Sequence, residues 1–308
     1  MIEADFLTRL RALPLHPGAH GLADDVASLA GFVLTTDTLV EGVHFLPGDL
    51  PADVAWKLLA TNLSDLAAKG ATVEGVLLNY PLRDEAWDRA FVDGLDAALR
   101  RFSCRLLGGD TVTLPAGAPR VLTLTAVGAD APAPPRSGAR AGDVLYVAGT
   151  IGDAGAGLDV ARGVLAPSRY APERAVALLA AYRRPVPLLS QGRALAPLVH
   201  AMMDVSDGLL IDAARMAAAS GLRAAIDLAR LPLSPAFVAI AGDQPEARLR
   251  AATAGDDYAL LFAAAPDVVL PVRAAAIGRF EAGDGLALFD DGEPVALPAT
   301  LGYQHGLR

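Results

Sequence analysis

The sequence predicts a two-domain α/β protein, with mixed sheets covered by helices, and three observations predict it. The chain has 308 residues, 53% of them hydrophobic, enough for two cores. Short apolar runs alternate with helical patterns at residues 73–80, 85–102, 105–107 and 121–127, an order that suits layered α/β structure. A composition break, Asp130-Ala131-Pro132-Ala133-Pro134-Pro135, reads as a linker between residues 1–130 and residues 131–308.

Composition also excludes several functions. The net charge is −9, and the only lysines are Lys57 and Lys69, with arginines scattered elsewhere. Nucleic-acid binding needs massed cations, so no nucleic-acid partner is expected. A single cysteine, Cys104, excludes an internal disulfide and a cysteine-based zinc cluster. The start, Met1-Ile2-Glu3-Ala4-Asp5-Phe6, is acidic and does not resemble a secretory signal. No apolar run reaches membrane-spanning length without charge, so a cytoplasmic protein is expected.

Residues 1–20 read as a short helix and a loop holding Pro14, Pro17 and Gly18. Asp24 and Asp25 follow in a turn, either solvated or held by a cation, because adjacent carboxylates repel. Gly31-Phe32-Val33-Leu34 reads as a buried strand that ends in Thr35-Thr36-Asp37-Thr38. Those oxygens need water, backbone donors or a cation, and a strand-end turn is the plain alternative. Pro51 and Asp53 open an amphipathic helix that runs to Lys69, with Gly70 as its stop. Val54, Ala55, Leu58, Leu59, Leu63, Leu66 and Ala67 form its apolar face, and Asn62, Asp65 and Lys69 share another. Asp65 either pairs with Lys69 or serves a purpose beyond the helix, since mid-helix aspartate is a poor helix former.

The strand at 105–107 is expected to end at Gly108-Gly109-Asp110, a glycine turn or a close approach to phosphate and its metal. A strand at 144–148 leads through the glycine loop at 149–157 into a helix, with spacing that does not fit a dinucleotide fingerprint. Helices near 173–182 and 188–198 flank Arg183-Arg184-Pro185. Asp204-Val205-Ser206-Asp207-Gly208 is a second acidic strand end, and Ser206 or Asp207 is placed to cap the helix at 209–219. Asp256 and Asp257 precede a strand at 259–262; another strand at 274–280 and a tail through Tyr303 and His305 follow.

Asp24, Asp25, Asp37, Asp65, Asp110, Asp204 and Asp207, with the hydroxyls of Thr35 and Thr36, are hard oxygen donors. That palette fits Mg²⁺ or Mn²⁺ and implies a polyphosphate substrate. No Walker A segment is present, and Arg136, Arg183 and Arg184 are the candidates for a fixed positive clamp.

Asp24-Asp25, Thr35–Val40 with His44-Phe45, Asn62–Ala68, Gly108-Gly109-Asp110, Arg136-Ser137-Gly138 and Asp204–Leu209 occur in an order that resembles the thiamine-monophosphate kinase family. The resemblance covers nearly the whole chain. It implies the aminoimidazole-ribonucleotide-synthetase-like architecture, a homodimer, and ATP- and Mg²⁺-dependent phosphorylation of thiamine monophosphate. By matching motif positions it implies metal binding by Asp24, Thr35, Thr36, Asp37, Asp65, Asp110, Asp204 and Asp207, with Asp65 and Asp207 as the catalytic pair. It implies ATP contacts at Gly109, Asp110, Arg136 and Ser206, and thiamine phosphate contacts at His44, Asp256 and Tyr303. Three positions depart from the family pattern: Ala23 replaces a glycine, Asp256 a glutamate, and Gly306 an aromatic residue. The alternatives are a ribonucleotide-cyclo-ligase-like or selenophosphate-synthetase-like enzyme, or a nucleotide-binding relative without catalysis.

Overall fold

The computed structural model describes residues 3–165 and 172–305. Gly306 lies outside them. The first half contains α1 (Glu3–Arg11), a 3-10 segment (Pro17–Leu22), β1 (Ala27–Leu29), β2 (Phe32–Val40), α2 (Pro51–Ala68), β3 (Thr72–Leu82), α3 (Glu85–Arg101), β4 (Leu106–Thr113) and β5 (Val121–Ala129). Its five strands lie in the order β1-β2-β5-β3-β4, antiparallel except for the β3–β4 pair.

The second half contains β6 (Val144–Ala148), α4 (Asp153–Ala161), α5 (Pro172–Arg183), α6 (Leu189–Leu195), β7 (Ala201–Asp204), α7 (Leu209–Ser220) and β8 (Arg223–Asp227). After a 3-10 turn come α8 (Pro235–Ala241), α9 (Pro245–Thr253), β9 (Leu260–Ala264), β10 (Ala275–Glu281), β11 (Gly285–Asp290) and β12 (Glu293–Val295). Seven strands form a mixed sheet in the order β12-β11-β8-β10-β6-β9-β7. No helix among the described residues is long and apolar enough to cross a membrane.

Two expected strand ends are not ends. β2 continues through Thr35-Thr36-Asp37-Thr38, paired residue by residue with β5 from Val33 to Val40. Its alternation sends Val33, Thr35, Asp37 and Leu39 toward the covering helices and leaves Phe32, Thr36 and Thr38 exposed. Likewise, Gly108-Gly109-Asp110 lies inside β4, an exposed edge strand, and is not a turn. Parallel pairing with β3 supplies the hydrogen bonds that extend both glycines through the run.

α2 is the element between the two sheets. Pro51 occupies its first turn, and Gly70, at φ +66°, supplies the left-handed stop predicted for it. β2 and β5 cover it from one side; α6 and β7 cover it from the other. Its predicted apolar face is wholly buried, and so are Lys57, Thr61, Asn62 and Ser64. Ala67 and Ala68 join the core of Met202, Leu260 and Phe262 from the second half. Lys57, Thr61, Asp65 and Lys69 recur at intervals of four, so they form one polar stripe along the helix.

A second fastening joins the halves. Tyr182 Oη donates to Asp49 Oδ2 at 2.9 Å, and Arg183 Nε donates to Asp49 Oδ1 at 2.9 Å. Arg184 pairs with Asp53, and Trp56 Nε1 donates to the Pro185 carbonyl at 2.8 Å. Arg183 and Arg184, expected as candidates for a phosphate clamp, are thus engaged in joining α5 to the start of α2.

Candidate active site

Between the halves lies a cleft of about 1010 Å³. Asp37, His44, Thr61 and Asp65 line it from the first half; Gly152, Asp204, Ser206, Asp207, Asp256 and Tyr303 line it from the second.

At its floor, carboxylate oxygens of Asp25, Asp65 and Asp204 lie within 4.8 Å of one another. They come from the loop before β1, the last turn of α2 and the end of β7. Thr35 Oγ1 donates to Asp65 Oδ2 at 2.5 Å, and Asp37 N donates to Asn62 Oδ1 at 3.1 Å, so β2 and α2 are fixed in register. Burial, and then the charge of Asp37, hold the Asp65 carboxyl well above the usual range. Burial, and then Asp25, do the same to Asp204. Asp37 is pushed up to about 6 by burial first, and next by Asp25 and Asp207. Asp25 Oδ2 is buried without a hydrogen-bond partner, with the Lys69 ammonium 3.8 Å away. Crowded anions with an orphaned oxygen are the donor set that a hard divalent cation fits.

Asp24 points elsewhere. Its carboxylate pairs with the buried Lys69 Nζ at 2.5 Å and accepts from Arg136 N at 3.2 Å. The Arg136 guanidinium pairs with Asp25. Lys69 also donates to the carbonyls of Pro134 and Met202, both at 3.2 Å, so no Asp65–Lys69 pair forms.

Asp207 accepts from Arg215 Nη1 at 2.5 Å, and its carbonyl accepts from Tyr303 N at 2.8 Å. The expected capping of α7 is reversed. Gly208 is the N-cap without a side-chain bond, and Asp212 inside the helix accepts from Ser206 N and Asp207 N, each at 3.1 Å. Burial pushes Asp212 up to about 7, against the opposing pull of Arg215.

Gly109 and Asp110 are not brought to this cluster within one chain. β5 and β3 stand between β2 and β4, a separation of about 14 Å at the usual strand spacing. Asp110 also shares its row with Asn79, Thr123 and Thr38, on the face that no helix among the described residues covers. Thr36 Oγ1 turns to the same side, donating to the Leu124 carbonyl at 3.2 Å and accepting from Thr125 Oγ1 at 3.0 Å, but unlike Asp110 it lies where the sheet meets the cleft and lines it.

The other end of the cleft is organic in character. His44 Nδ1 accepts from Val40 N at 2.9 Å, and its ring lies 5.6 Å from that of His305. Tyr303 meets His305 edge-on at 4.9 Å. Burial lowers the His44 pKa against the opposing charge of Asp256, which favours a neutral imidazole. Asp256, at φ +68°, accepts from Lys57 Nζ at 2.7 Å and Tyr258 Oη at 2.9 Å.

Sequence reasoning passed over Lys57, Asp212, Arg215 and Asp257. Asp257 accepts from Gly152 N at 2.7 Å and Ala154 N at 3.3 Å, which fixes the glycine loop at the mouth of α4. The available signal was Lys57, one of two lysines and two helical turns before Asp65 on the same face.

Residues 23–129 match the family described as AIR synthase related protein, N-terminal domain, and residues 140–291 its C-terminal domain. A thiamine-monophosphate kinase of Caulobacter vibrioides is 40% identical, covering 99% of this chain and 91% of that relative. The thiamine-monophosphate kinase of Escherichia coli K12 is 40% identical over 92% of this chain and 91% of its own length. The solved structure of AaThiL complexed with AMPPCP and TMP superposes with a TM-score of 0.84 at 29% identity, covering 98% of this chain and 96% of that one.

Proposed function

The chain belongs to the thiamine-monophosphate kinase family, and from that membership we propose that it phosphorylates thiamine monophosphate with ATP by direct, Mg²⁺-dependent in-line transfer. An oxygen of the acceptor phosphate forms the new bond to the γ-phosphorus of ATP. The bond from that phosphorus to the β–γ bridging oxygen breaks, and thiamine diphosphate and ADP leave. The observation that carries this reading is the meeting of Asp25, Asp65 and Asp204 at the floor of a cleft with an aromatic end.

A phosphate monoester is largely dianionic at pH 7, so no side chain has to remove a proton from the nucleophile. The carboxylates are therefore assigned to holding cations, not to base catalysis. Asp25, Asp65 and Asp204 would hold Mg²⁺, with Asp37 and Asp207 at the border and Thr35 orienting Asp65. Bound Mg²⁺ would supply charge neutralisation on the phosphate oxygens. Asp24 would serve by neutralising Lys69, which it already contacts. Arg136 and Ser206 are assigned to ATP, and His44, Asp256 and Tyr303 to the thiamine portion.

Gly109 and Asp110 face the uncovered side of the first sheet, so we assign them to the site only through a homodimer that packs on that face, whereas Thr36 lines the cleft of one chain and is assigned to its border. The cysteine-dependent alternative is disfavoured by Cys104, whose thiol is buried outside the cleft and pushed up to about 11.

The test is an ATP-consumption assay with thiamine monophosphate, in which thiamine diphosphate is identified as product. Formation with Mg²⁺ and its loss in EDTA are expected. ATP binding with no thiamine diphosphate formed would favour the nucleotide-binding relative without catalysis.

A further inference from the structure

We propose that Lys57 is a positioning residue that sets the geometry of the thiamine end of the cleft, an assignment that rests on the kinase reading above. Lys57 is only 2% exposed. A buried ammonium is costly unless it is paired, and here it is engaged on three sides. Its Nζ donates to Asp256 Oδ2 at 2.7 Å and to the His44 carbonyl at 2.9 Å, and it lies 4.3 Å from the ring centroid of Tyr182. Tyr182 is itself pinned by its hydroxyl to Asp49. The seat of the ammonium is thus rigid.

These contacts join residues that the fold brings from opposite halves. His44 belongs to the loop after β2, and Asp256 to the loop before β9. Both line the cleft, whereas Lys57 stands behind them and does not. Asp256 occupies a left-handed backbone conformation that favours glycine, and its two oxygens are held by Lys57 and Tyr258. Each carboxylate oxygen has two acceptor positions, so one position on each is left for a ligand. Without the ammonium only the Tyr258 hydroxyl would hold this short side chain, and its Oδ2 would be free to turn away from the cleft.

Lys57 also sets a length. It lies eight residues before Asp65 on the same face of α2, about 12 Å along the axis. One rigid helix therefore fixes the organic end of the cleft relative to the acidic floor.

The test is a double-mutant cycle read as separate KM values for the two substrates, with thermal melting of every variant. Lys57→Met is expected to raise KM for thiamine monophosphate about tenfold, the size of one hydrogen bond to a charged group, and to leave KM for ATP within about twofold. In an Asp256→Asn background the same substitution should change that KM by less than about twofold, because no carboxylate remains to be aimed. The same factor in both backgrounds, equal rises for both substrates, or no rise at all would overturn the assignment. If Lys57→Met does not fold, Lys57→Arg enters the same cycle under the same criteria. A wild-type chain that makes no thiamine diphosphate overturns the kinase reading and this role together, an outcome distinct from any loss confined to the variants.

Discussion

Asp65 stands in the last turn of a packed helix with a hydroxyl from β2 against one oxygen and two other carboxylates nearby. Nothing in the packing of α2 requires the charge, and its carboxyl is held well above the usual range without a cation. Asp65→Asn keeps the shape and the acceptor for Thr35, so the fold should remain and metal-free stability should not fall. Turnover should drop at least about 100-fold, since removing even a partner of a metal ligand costs up to that much. Circular dichroism and steady-state kinetics check both halves of this expectation. Near-normal turnover at low Mg²⁺ would remove Asp65 from the cation set.

At the scale of elements, the site depends on α6 lying against α2. A Cβ built on Gly192 would sit 1.9 Å from the Ala67 carbonyl oxygen, a backbone atom that cannot swing aside. Gly192→Ala should therefore push α6 away from the helix that carries Lys57 and Asp65. We expect a loss of about 1–3 kcal/mol, the usual cost of overpacking, read as a lower urea midpoint with unchanged slope. A midpoint within error of the wild type would mean that the two helices separate freely. The Asp49 and Asp53 fastening acts nearer the other end of α2, so the helix is held to the second half at two places.

At the scale of the whole molecule, no helix among the described residues covers the outer face of the first sheet. Phe32, Leu77 and Val121 are 41–44% exposed there, and Leu106 and Val112 are over half exposed on the edge strand β4. An uncovered apolar sheet with a free edge invites pairing with another copy. Light scattering at micromolar concentration should give twice 31.7 kDa, and a monomer would contradict the homodimer. Metal and pH should also act together on the assembled cleft. Asp37 rises from 3.8 to about 6 and Asp212 to about 7 in the folded chain without a cation. Between the unfolded and folded values the native state binds more protons, so this contribution is full below 3.8 and is lost as pH rises through 6 to 7. Mg²⁺ binds the ionised form and should raise the melting temperature more at about pH 8 than at about pH 5. Melts in EDTA and in Mg²⁺ at both pH values decide it; equal shifts would contradict a carboxylate site.

Legibility in the sequence followed the range of the signal. The strand at 144–148, the helix from Pro51 with its Gly70 stop and the family itself were readable, because alternation, capping and motif order are local properties. β8, α8, α9, β11 and β12 escaped, being short segments with little contrast between their faces. The list of acids was also readable, but not which of them meet. Only the packing of α2 between two sheets brings residues 25, 65 and 204 together, turns Asp24 to Lys69 and leaves Asp110 on the far edge. That packing also spends Arg183 and Arg184 on the junction and seats Lys57 behind the cleft wall. Sequence determined the chemistry available, because residue type fixes charge and donor softness. Tertiary structure decided the partners, because a distance between residues far apart in the chain is set by which faces must be buried together.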